Sequence, residues 1–264
     1  MRTTSFLFTL VSLFICVACT EVTDPAPPNE PARDDAGTPA VEAPKPKTTI
    51  AFAVKLVDGQ NRDQVLAGIE VCAMDKAGTQ RADVACARSD TAGKIAMELP
   101  KDSELMLRCA SDTYGPAYMT WAIASADIDA GTFGLLTKDT TELLVTLSGG
   151  KPSATQGAIT VNVYEDLVDR TKRVAGARLN IQPKAGVGPV YVAESGTPSR
   201  TLTASTEGGP ALFADIDPGE VTITIEHPTR DCTGGFGWPT PDPKALRSRI
   251  FGGGLSNVTF VCPP

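Results

Sequence analysis

Short segments that alternate apolar and polar residues run along most of this chain, and their period of two is what most limits its fold. Ile50, Phe52, Val54 and Leu56 alternate with small or polar residues, as in a strand with one buried face. Turn residues interrupt such segments at short intervals, and the chain has 24 Gly and 21 Pro but only 6% aromatic residues. The sequence therefore predicts an all-β protein with short antiparallel strands.

The alternating segments fall into two regions. In the first region, residues 48–148, the predicted strands are 50–56, 67–73, 84–88, 94–99, 104–110, 117–122 and 141–147. A short hinge at 149–156 follows, and the second region, 157–264, restarts the pattern with strands at 159–163, 175–181, 221–225 and 255–261. We expect two tandem antiparallel β-sandwiches of seven strands each.

The two regions also share their turn residues. The segment Ala-Gly-Ile-Glu-Val at 67–71 parallels Ala-Gly-Ala-Arg-Leu at 175–179, and the turn at 90–93 parallels Thr-Glu-Gly-Gly at 206–209. Glycines at such turns supply backbone conformations that a Cβ would oppose. We interpret the two regions as divergent copies of one β-module.

The motif Gly-Pro-Ala-Leu-Phe-Ala-Asp-Ile-Asp-Pro-Gly-Glu-Val at 209–221 carries a family resemblance, together with 67–71 and the Ser-Asp-Thr-Ala-Gly-Lys turn at 89–94. The chain resembles the carboxypeptidase regulatory-like domain and the related prealbumin-like adhesin repeats, over roughly 48–148 and 157–262. This resemblance implies a transthyretin-like or immunoglobulin-like sandwich. Because its motifs are turn residues, it implies a fold class rather than an activity.

The first residues of the chain predict an export signal. Residues 6–17 are apolar apart from Thr9 and Ser12, a run of signal-peptide length that is short for a membrane span. Val17, Ala18 and Cys19 resemble the end of a bacterial lipobox, although Cys16 stands where Leu is usual.

The lipobox resemblance implies that residues 1–18 are removed and that Cys19 carries the lipid, palmitate included. It implies anchoring in the bilayer, with Thr20 favouring the outer membrane and leaving the protein facing the periplasm or the cell surface. An ordinary secreted protein, in which Cys19 is unmodified, is the alternative.

Residues 19–47 predict a disordered tether. Seven prolines fall within 20–47, mixed with acidic residues and alanine, so this segment lacks the apolar residues that a core needs.

The formal net charge is −7, and loss of Arg2 with the signal leaves 23 basic against 31 acidic residues, or −8. Such a balance argues against binding to nucleic acid.

Five cysteines follow Cys19 and are expected to meet an oxidising compartment: Cys72, Cys86, Cys109, Cys232 and Cys262. Cys72 and Cys86 lie on predicted neighbouring strands, and a Cys232–Cys262 bridge would pin the long segment before the last strand. We therefore predict these two disulfides and a free, buried Cys109. Pairing of Cys109 with Cys72 or Cys86 is the alternative.

Signatures of catalysis are absent from the sequence. His227 is the one histidine, no spacing of zinc ligands exists, and no Gly-x-Ser-x-Gly motif is present. Two segments, 127–131 and 215–219, begin like a calcium loop but lack its later ligands. We therefore predict no enzyme activity, no metal and no cofactor.

Aromatic loops are the remaining candidates for binding. Phe236 and Trp238 lie in the glycine- and proline-rich segment 234–241, and Tyr114 and Trp121 flank Gly-Pro at 115–116. Exposed aromatic rings can stack on sugars or grip a protein. The alternative is that Trp238 caps the end of its sandwich.

The function that the sequence favours is a non-catalytic binding or structural module of the cell envelope, with envelope proteins or glycans as partners. A carbohydrate-binding accessory protein is the second hypothesis, and an accessory protein of a hydrolase is the third.

Overall fold

The structure, a computed structural model, describes residues 48–123 and 126–264. The predicted signal peptide, the tether and Cys19 lie outside the described residues. Within them the chain is almost entirely β, with one helix, and it forms one compact unit. No helix in these ranges is long and apolar enough to cross a bilayer.

The first half of the described chain forms a sandwich that we call module 1. Its elements are β1 (Thr49–Asp58), β2 (Glu70–Met74), β3 (Ala87–Arg88), β4 (Lys94–Pro100), β5 (Ser103–Ala110), β6 (Ala117–Ile123), β7 (Ile128–Leu135) and α1 (Lys138–Leu147). One sheet has the order β4-β1-β7, and the facing strands have the order β3-β2-β5-β6.

The second half forms module 2. Its strands are β8 (Gly157–Tyr164), β9 (Arg178–Gln182), β10 (Val187–Val192), β11 (Pro198–Ser199), β12 (Ala211–Ile216), β13 (Gly219–Glu226), β14 (Thr233–Phe236), β15 (Trp238–Pro239), β16 (Ala245–Ile250) and β17 (Leu255–Val261). One sheet has the order β15-β16-β13-β9. The other has the order β11-β10-β12-β8-β17, with β14 also paired to β17.

The all-β prediction is confirmed, with two differences in detail. Module 2 has ten strands rather than seven, because the short strands β11, β14 and β15 are added, the last two by the long segment before β16. Most pairs are antiparallel, but β1 with β7, β8 with β17 and β6 with β17 are parallel. Parallel pairs arise here because the chain crosses to the facing sheet before it returns.

Each module has its own hydrophobic core. Ile50, Phe52, Val54 and Leu56 of β1 all belong to the first core, as their alternation predicts. Their exposed fractions are 3% or less. The second core contains the alternating residues of β8 in the same way, together with inward residues of β13.

The strand predicted at 141–147 is wrong, since this segment belongs to helix α1. Thr141, Leu143, Val145 and Leu147 alternate, but Leu143 and Leu147 also have the i, i+4 spacing of a helix. Thr137 caps the helix by accepting a hydrogen bond from the Thr140 N–H, 3.1 Å away. These capping bonds favour the helix over the strand.

The end of α1 confirms the helix. Gly149 has φ 87°, its N–H donates to the Thr146 carbonyl at 2.9 Å, and the Gly150 N–H donates to the Val145 carbonyl at 2.9 Å. This pair of bonds is a Schellman motif, in which glycine tolerates the left-handed conformation after the last turn.

A buried serine locks the start of β2 to the end of β3 in module 1. Ser89 Oγ accepts from the Ile69 N–H at 2.9 Å and donates to the Leu66 carbonyl at 2.7 Å. The Ser89 N–H also donates to the Ile69 carbonyl at 3.0 Å. One side chain thus satisfies two backbone groups that the interior would otherwise leave unpaired.

Module 2 repeats this arrangement atom for atom. Ser205 Oγ accepts from the Ala177 N–H at 2.9 Å and donates to the Val174 carbonyl at 2.7 Å. The Ser205 N–H donates to the Ala177 carbonyl at 2.7 Å. The two serines directly precede the turns at 90–93 and 206–209, which are similar in sequence. The same local structure therefore recurs in both modules.

Both predicted disulfides are present, Cys72–Cys86 and Cys232–Cys262. Cys109 is free and fully buried in the first core, and burial raises the pKa of its thiol to about 12. Cys109 lies opposite Val71 in the β2–β5 ladder, so the neighbouring Cys72 points to the other face of the sheet. The alternative pairing with Cys109 is therefore not formed.

Side chains also form hydrogen bonds with backbone groups at open sheet edges. Asp90 Oδ1 accepts from the Lys94 N–H at the start of the edge strand β4, at 2.8 Å. At the edge strand β9, the buried Tyr191 hydroxyl accepts from the Leu179 N–H at 2.9 Å. Edge amides that are already bonded cannot pair with a further strand, which opposes aggregation through these edges.

Candidate functional site: the joint between the modules

The two modules share a sheet, and we call their zone of contact the module joint. Strand β17 pairs in parallel with β8 along its whole length, from Leu255↔Ala158 to Val261↔Tyr164. Its first three residues pair on the other side with β6 of module 1. The larger sheets of the two modules therefore form one ten-stranded sheet.

Trp238 seals one side of the module joint. Its side chain is 0% exposed and packs with Met106 and Tyr118 of module 1. The indole Nε1–H donates to the Leu105 carbonyl of β5 at 3.1 Å. Trp238 therefore closes the joint, rather than capping the end of its own sandwich, and offers no exposed face on which a sugar could stack.

Further contacts cross the joint beside Trp238. The Tyr118 and Phe251 rings stack with centroids 4.0 Å apart and an interplanar angle of 13°. The hydroxyls of Thr120 and Ser248, both buried, are hydrogen-bonded at 2.7 Å. A satisfied polar pair inside an apolar contact fixes the relative position of β6 and β16.

A half-buried charge cluster borders this sealed side. Arg247 Nη2 lies 3.3 Å from Glu104 Oε2, and the Lys76 ammonium forms an ion pair with the same carboxylate. Arg249 Nη1 donates to the Lys76 carbonyl at 2.9 Å. These contacts join β16 to β5 and to the loop after β2, so module 2 supplies guanidinium groups to acceptors on module 1.

Phe236 and Arg170 extend the joint to the edge of β7. Phe236 packs on the first core, with its ring centroid 4.5 Å from that of Trp121. The Arg170 guanidinium lies over the Phe236 ring, 4.7 Å from its centroid. It also donates to the carbonyls of Ala130 at 2.7 Å and Thr132 at 3.3 Å. Arg170 thus occupies the open edge of β7, and burial lowers the pKa of its guanidinium.

The remaining predicted contact residues also have packing roles. Trp121 is 6% exposed and meets Phe52 edge-on at 5.1 Å. Tyr114 is half-buried and its hydroxyl donates to Asp58 Oδ2 at 2.8 Å. The structure thus brings Phe236 and Trp121 together inside the joint, whereas Tyr114 lies apart from them in module 1.

The Asp58 carboxylate accepts three hydrogen bonds in module 1. Burial alone would raise its pKa, but hydrogen bonds from the Asn61 N–H, the Tyr114 hydroxyl and the Gln60 N–H lower it below the usual value. In turn, burial raises the pKa of Tyr114, and the bond to Asp58 raises it further. This pair fixes the turn that follows β1.

The other side of the module joint is open. A cleft of about 460 Å³, which we call the joint cleft, lies between α1, the connector between the modules, the first residues of β8 and the residues that directly precede β6 and β17. The charged and polar side chains that line it are those of Lys138, Thr141, Glu142, Lys151, Ser153, Gln156 and Asp215.

Three glycines before β17 bring the backbone close to the connector and to Tyr118, beside the cleft. A Cβ on Gly252 would lie 2.5 Å from the Ala154 carbonyl oxygen, and one on Gly254 would lie 2.5 Å from the Tyr118 ring. Gly253, between them, has φ 67° and an N–H that donates to the Gln156 carbonyl at 2.9 Å. Only glycines allow the chain to pass this closely.

The connector that was predicted to be a hinge is tied to module 2 at the cleft. Asp215 has φ 54°, and its Oδ1 accepts from the Lys151 N–H at 2.9 Å. Ser153 Oγ accepts from the N–H groups of Thr155 and Gln156, both at 3.1 Å. These bonds position the Lys151 and Asp215 side chains at the rim of the cleft.

His227 and the candidate calcium ligands have local structural partners. The His227 Nδ1 accepts from the Arg230 N–H at 3.0 Å, so Nε2 carries the proton and donates to the Ala175 carbonyl at 2.9 Å. Asp127 Oδ1 accepts from the Ala51 N–H, and Asp129 Oδ1 from the Gly131 N–H. Within 48–123 and 126–264, no group of three potential metal ligands is found.

Comparisons with known proteins give distant matches only. No protein-family model matches the sequence, and no match to a curated protein is significant. The solved structures that it resembles include the Bacillus anthracis TIE protein, at 12% identity, covering 82% of this chain and 35% of that one, with a TM-score of 0.29. The chain thus spans about a third of the length of that protein.

Two pilins are among the other matches. The minor pilin GBS52 of Streptococcus agalactiae is 12% identical over 81% of this chain and 95% of that one, with a TM-score of 0.26. The shaft pilin spaA of Lactobacillus rhamnosus GG is 10% identical over 82% and 99%, with a TM-score of 0.25. Scores this low carry no argument about function, and the carboxypeptidase regulatory-like resemblance stays a prediction.

Proposed function

We propose that this chain is a lipid-anchored protein of the cell envelope that presents two β-modules as one rigid, non-catalytic binding body. The module joint is the observation that carries this proposal. A shared sheet, the buried Trp238 and guanidinium contacts make the two modules one body, as a protein that holds a partner in a set position requires.

Strand β1 separates the start of the described chain from the joint cleft. Strand β1 begins at Thr49, where the predicted tether of 19–47 would join, and ends at Asp58, beside Tyr114. Ten residues of strand span about 33 Å. The joint cleft, which starts at Gly115, therefore lies near the end of β1 that is farther from Thr49.

The anchor is the first part of the proposal to test. We expect the Cys19→Ser variant to lose incorporation of labelled palmitate and to move from the membrane fraction to the soluble fraction. Cys16→Ser is the matched control, because it changes the neighbouring thiol and leaves the predicted acceptor intact. A Cys19→Ser variant that stays in the membrane fraction would contradict the proposed anchor.

Partners are the second part to test. We expect cross-linking in whole cells to join the anchored protein to other envelope components, and the Cys19→Ser variant to lose those products. Identical products from both proteins would show that anchoring has no role in the choice of partner.

The glycan-binding hypothesis has no support from the described aromatic side chains. Stacking on a sugar needs an accessible ring face. Trp238 and Trp121 are buried, and Phe236 lies between Trp121 and Arg170. We therefore place the binding surface at the joint cleft, where charged groups are accessible.

A further inference from the structure

We propose that the joint cleft binds a short peptide with a free carboxylate and a free ammonium group. This inference rests on the proposed function, because it names the ligand class for the binding body described above. It depends on four charged side chains, on the exposed backbone at Gly253 and on the absence of aromatic rings among the lining residues.

Three of the four charged side chains of the cleft have no partner within the described chain, and the fourth, Asp215, accepts from the Lys151 N–H through Oδ1. Among the described residues, no hydrogen bond or ion pair engages the side chains of Lys138, Glu142 or Lys151. Lys138 and Glu142 have the i, i+4 spacing that places them on one face of α1, yet they form no ion pair. By contrast, Lys76 of the module joint and Lys244 are each paired with a carboxylate.

Both signs of charge are present in equal number. Lys138 and Lys151 supply two ammonium groups, and Glu142 and Asp215 supply two carboxylates, so the lining is neutral as a whole. A purely anionic ligand would meet two carboxylates, and a purely cationic one would meet two ammonium groups. A ligand that carries one charge of each sign can pair with both.

The shape and the wall chemistry favour a peptide over a sugar. No aromatic side chain lines the cleft, so a sugar ring would find no stacking surface. Gly253 instead lines the cleft with exposed backbone and no side chain, and the space beside it is open enough for another backbone to approach. The volume of about 460 Å³ lies within the range of ordinary small-ligand sites.

The test uses trialanine as the probe, titrated into the full chain in detergent and followed by ligand-observed NMR. We expect trialanine with free termini to bind at millimolar concentration. The N-acetylated peptide and the C-terminal amide should each bind about tenfold more weakly, as expected for loss of one charge-assisted contact.

Matched variants locate the binding. Lys151→Ala and Lys138→Ala should weaken binding of the free acid but should not change binding of the C-terminal amide. Glu142→Gln should weaken binding of the peptide with a free amine but should not change binding of the N-acetylated peptide. Lys184→Ala and Glu194→Gln are the controls, since both residues are exposed and lie outside the cleft.

Each outcome decides the inference. Selective loss in the cleft variants supports it. Absence of binding at millimolar concentration, equal binding of the capped peptides, or equal loss in the control variants overturns it. The proposed function fails separately, because palmitate labelling and membrane fractionation of Cys19→Ser do not depend on the peptide.

Discussion

The two modules use the same serine lock but place their disulfides differently. Ser89 and Ser205 make matching hydrogen bonds at matching turns. In module 1 the disulfide lies outside the core, with Cys86 exposed at the surface, whereas both cysteines of the module 2 disulfide belong to the second core. The repeated element thus builds the sandwich, and the disulfides serve what differs between the modules.

The module 2 disulfide supports the module joint. Cys232 directly precedes β14, which carries Phe236, and the chain then continues to Trp238. The bond to Cys262 fixes the start of this segment against the end of β17, the strand shared by both modules. The Cys72–Cys86 disulfide of module 1 does not support the joint in this way, because it ties β2 to the loop that follows it within module 1.

Replacing Trp238, which joins the two modules, should cause the largest loss of stability. Trp238→Ala removes a fully buried indole, and we expect it to lower the free energy of unfolding by about 3–5 kcal/mol. Trp238→Phe is the control, since it keeps a ring in the joint and should cost less. Chemical denaturation measures both, and a Trp238→Ala protein as stable as the wild type would contradict the role of the sealed side.

The two disulfides should differ in what their loss costs. Loop entropy gives about 3 kcal/mol for closing a loop of the Cys72–Cys86 length and somewhat more for Cys232–Cys262. Because Cys232–Cys262 also supports the module joint, we expect the Cys232→Ala/Cys262→Ala protein to lose more stability than the Cys72→Ala/Cys86→Ala protein. The gap between the two losses should exceed the small difference that loop entropy alone gives. Denaturation of the two double variants tests it. Equal losses would show that the bridge does not support the joint.

The two serines should instead behave alike. Ser89→Ala and Ser205→Ala each leave a buried N–H and a buried carbonyl unpaired, so we expect a loss of about 1–3 kcal/mol in each. Ser195→Ala, at an exposed turn of module 2, is the control and should have little effect. A large effect in one module alone would break the equivalence of the two locks.

Local features of both modules could be predicted from the sequence. The alternation of Ile50, Phe52, Val54 and Leu56 identified a core face, because a strand places every second side chain on one side. The Cys72–Cys86 disulfide followed from cysteines on predicted neighbouring strands, and Cys232–Cys262 followed from the long segment that it would pin. The helix α1 was missed because its apolar residues fit both periods, although Gly149 after the run was a signal for a helix end.

The joint and its cleft could not be predicted in the same way. The pairing of β17 with β6 joins residues far apart in sequence through backbone groups, which leave no side-chain pattern. Trp238 is buried by the surface of the other module, so its own neighbours in the chain do not reveal its burial. Lys138, Lys151 and Asp215 come from three segments that only the folded chain brings to one cleft.

The smallest expected difference between the modules concerns acid. In module 1 the Tyr114 hydroxyl donates to the carboxylate of Asp58, whereas in module 2 the Tyr164 hydroxyl donates to the uncharged Asn162. Because the pKa of Asp58 is lowered by folding, its stabilising contribution is present above the unfolded-state pKa of about 3.9 and is lost as pH falls through the folded value.

Tyr114→Phe should therefore cost about 1–2 kcal/mol at neutral pH and progressively less as the pH falls through the lowered pKa of Asp58 in the folded protein, where the carboxylate becomes protonated. Tyr164→Phe should show no such change with pH, because Asn162 does not titrate. Unfolding midpoints of both variants and of the wild type between neutral and acidic pH measure the difference. If the cost of Tyr114→Phe were independent of pH, the Asp58 carboxylate would not be the group that this hydroxyl stabilises.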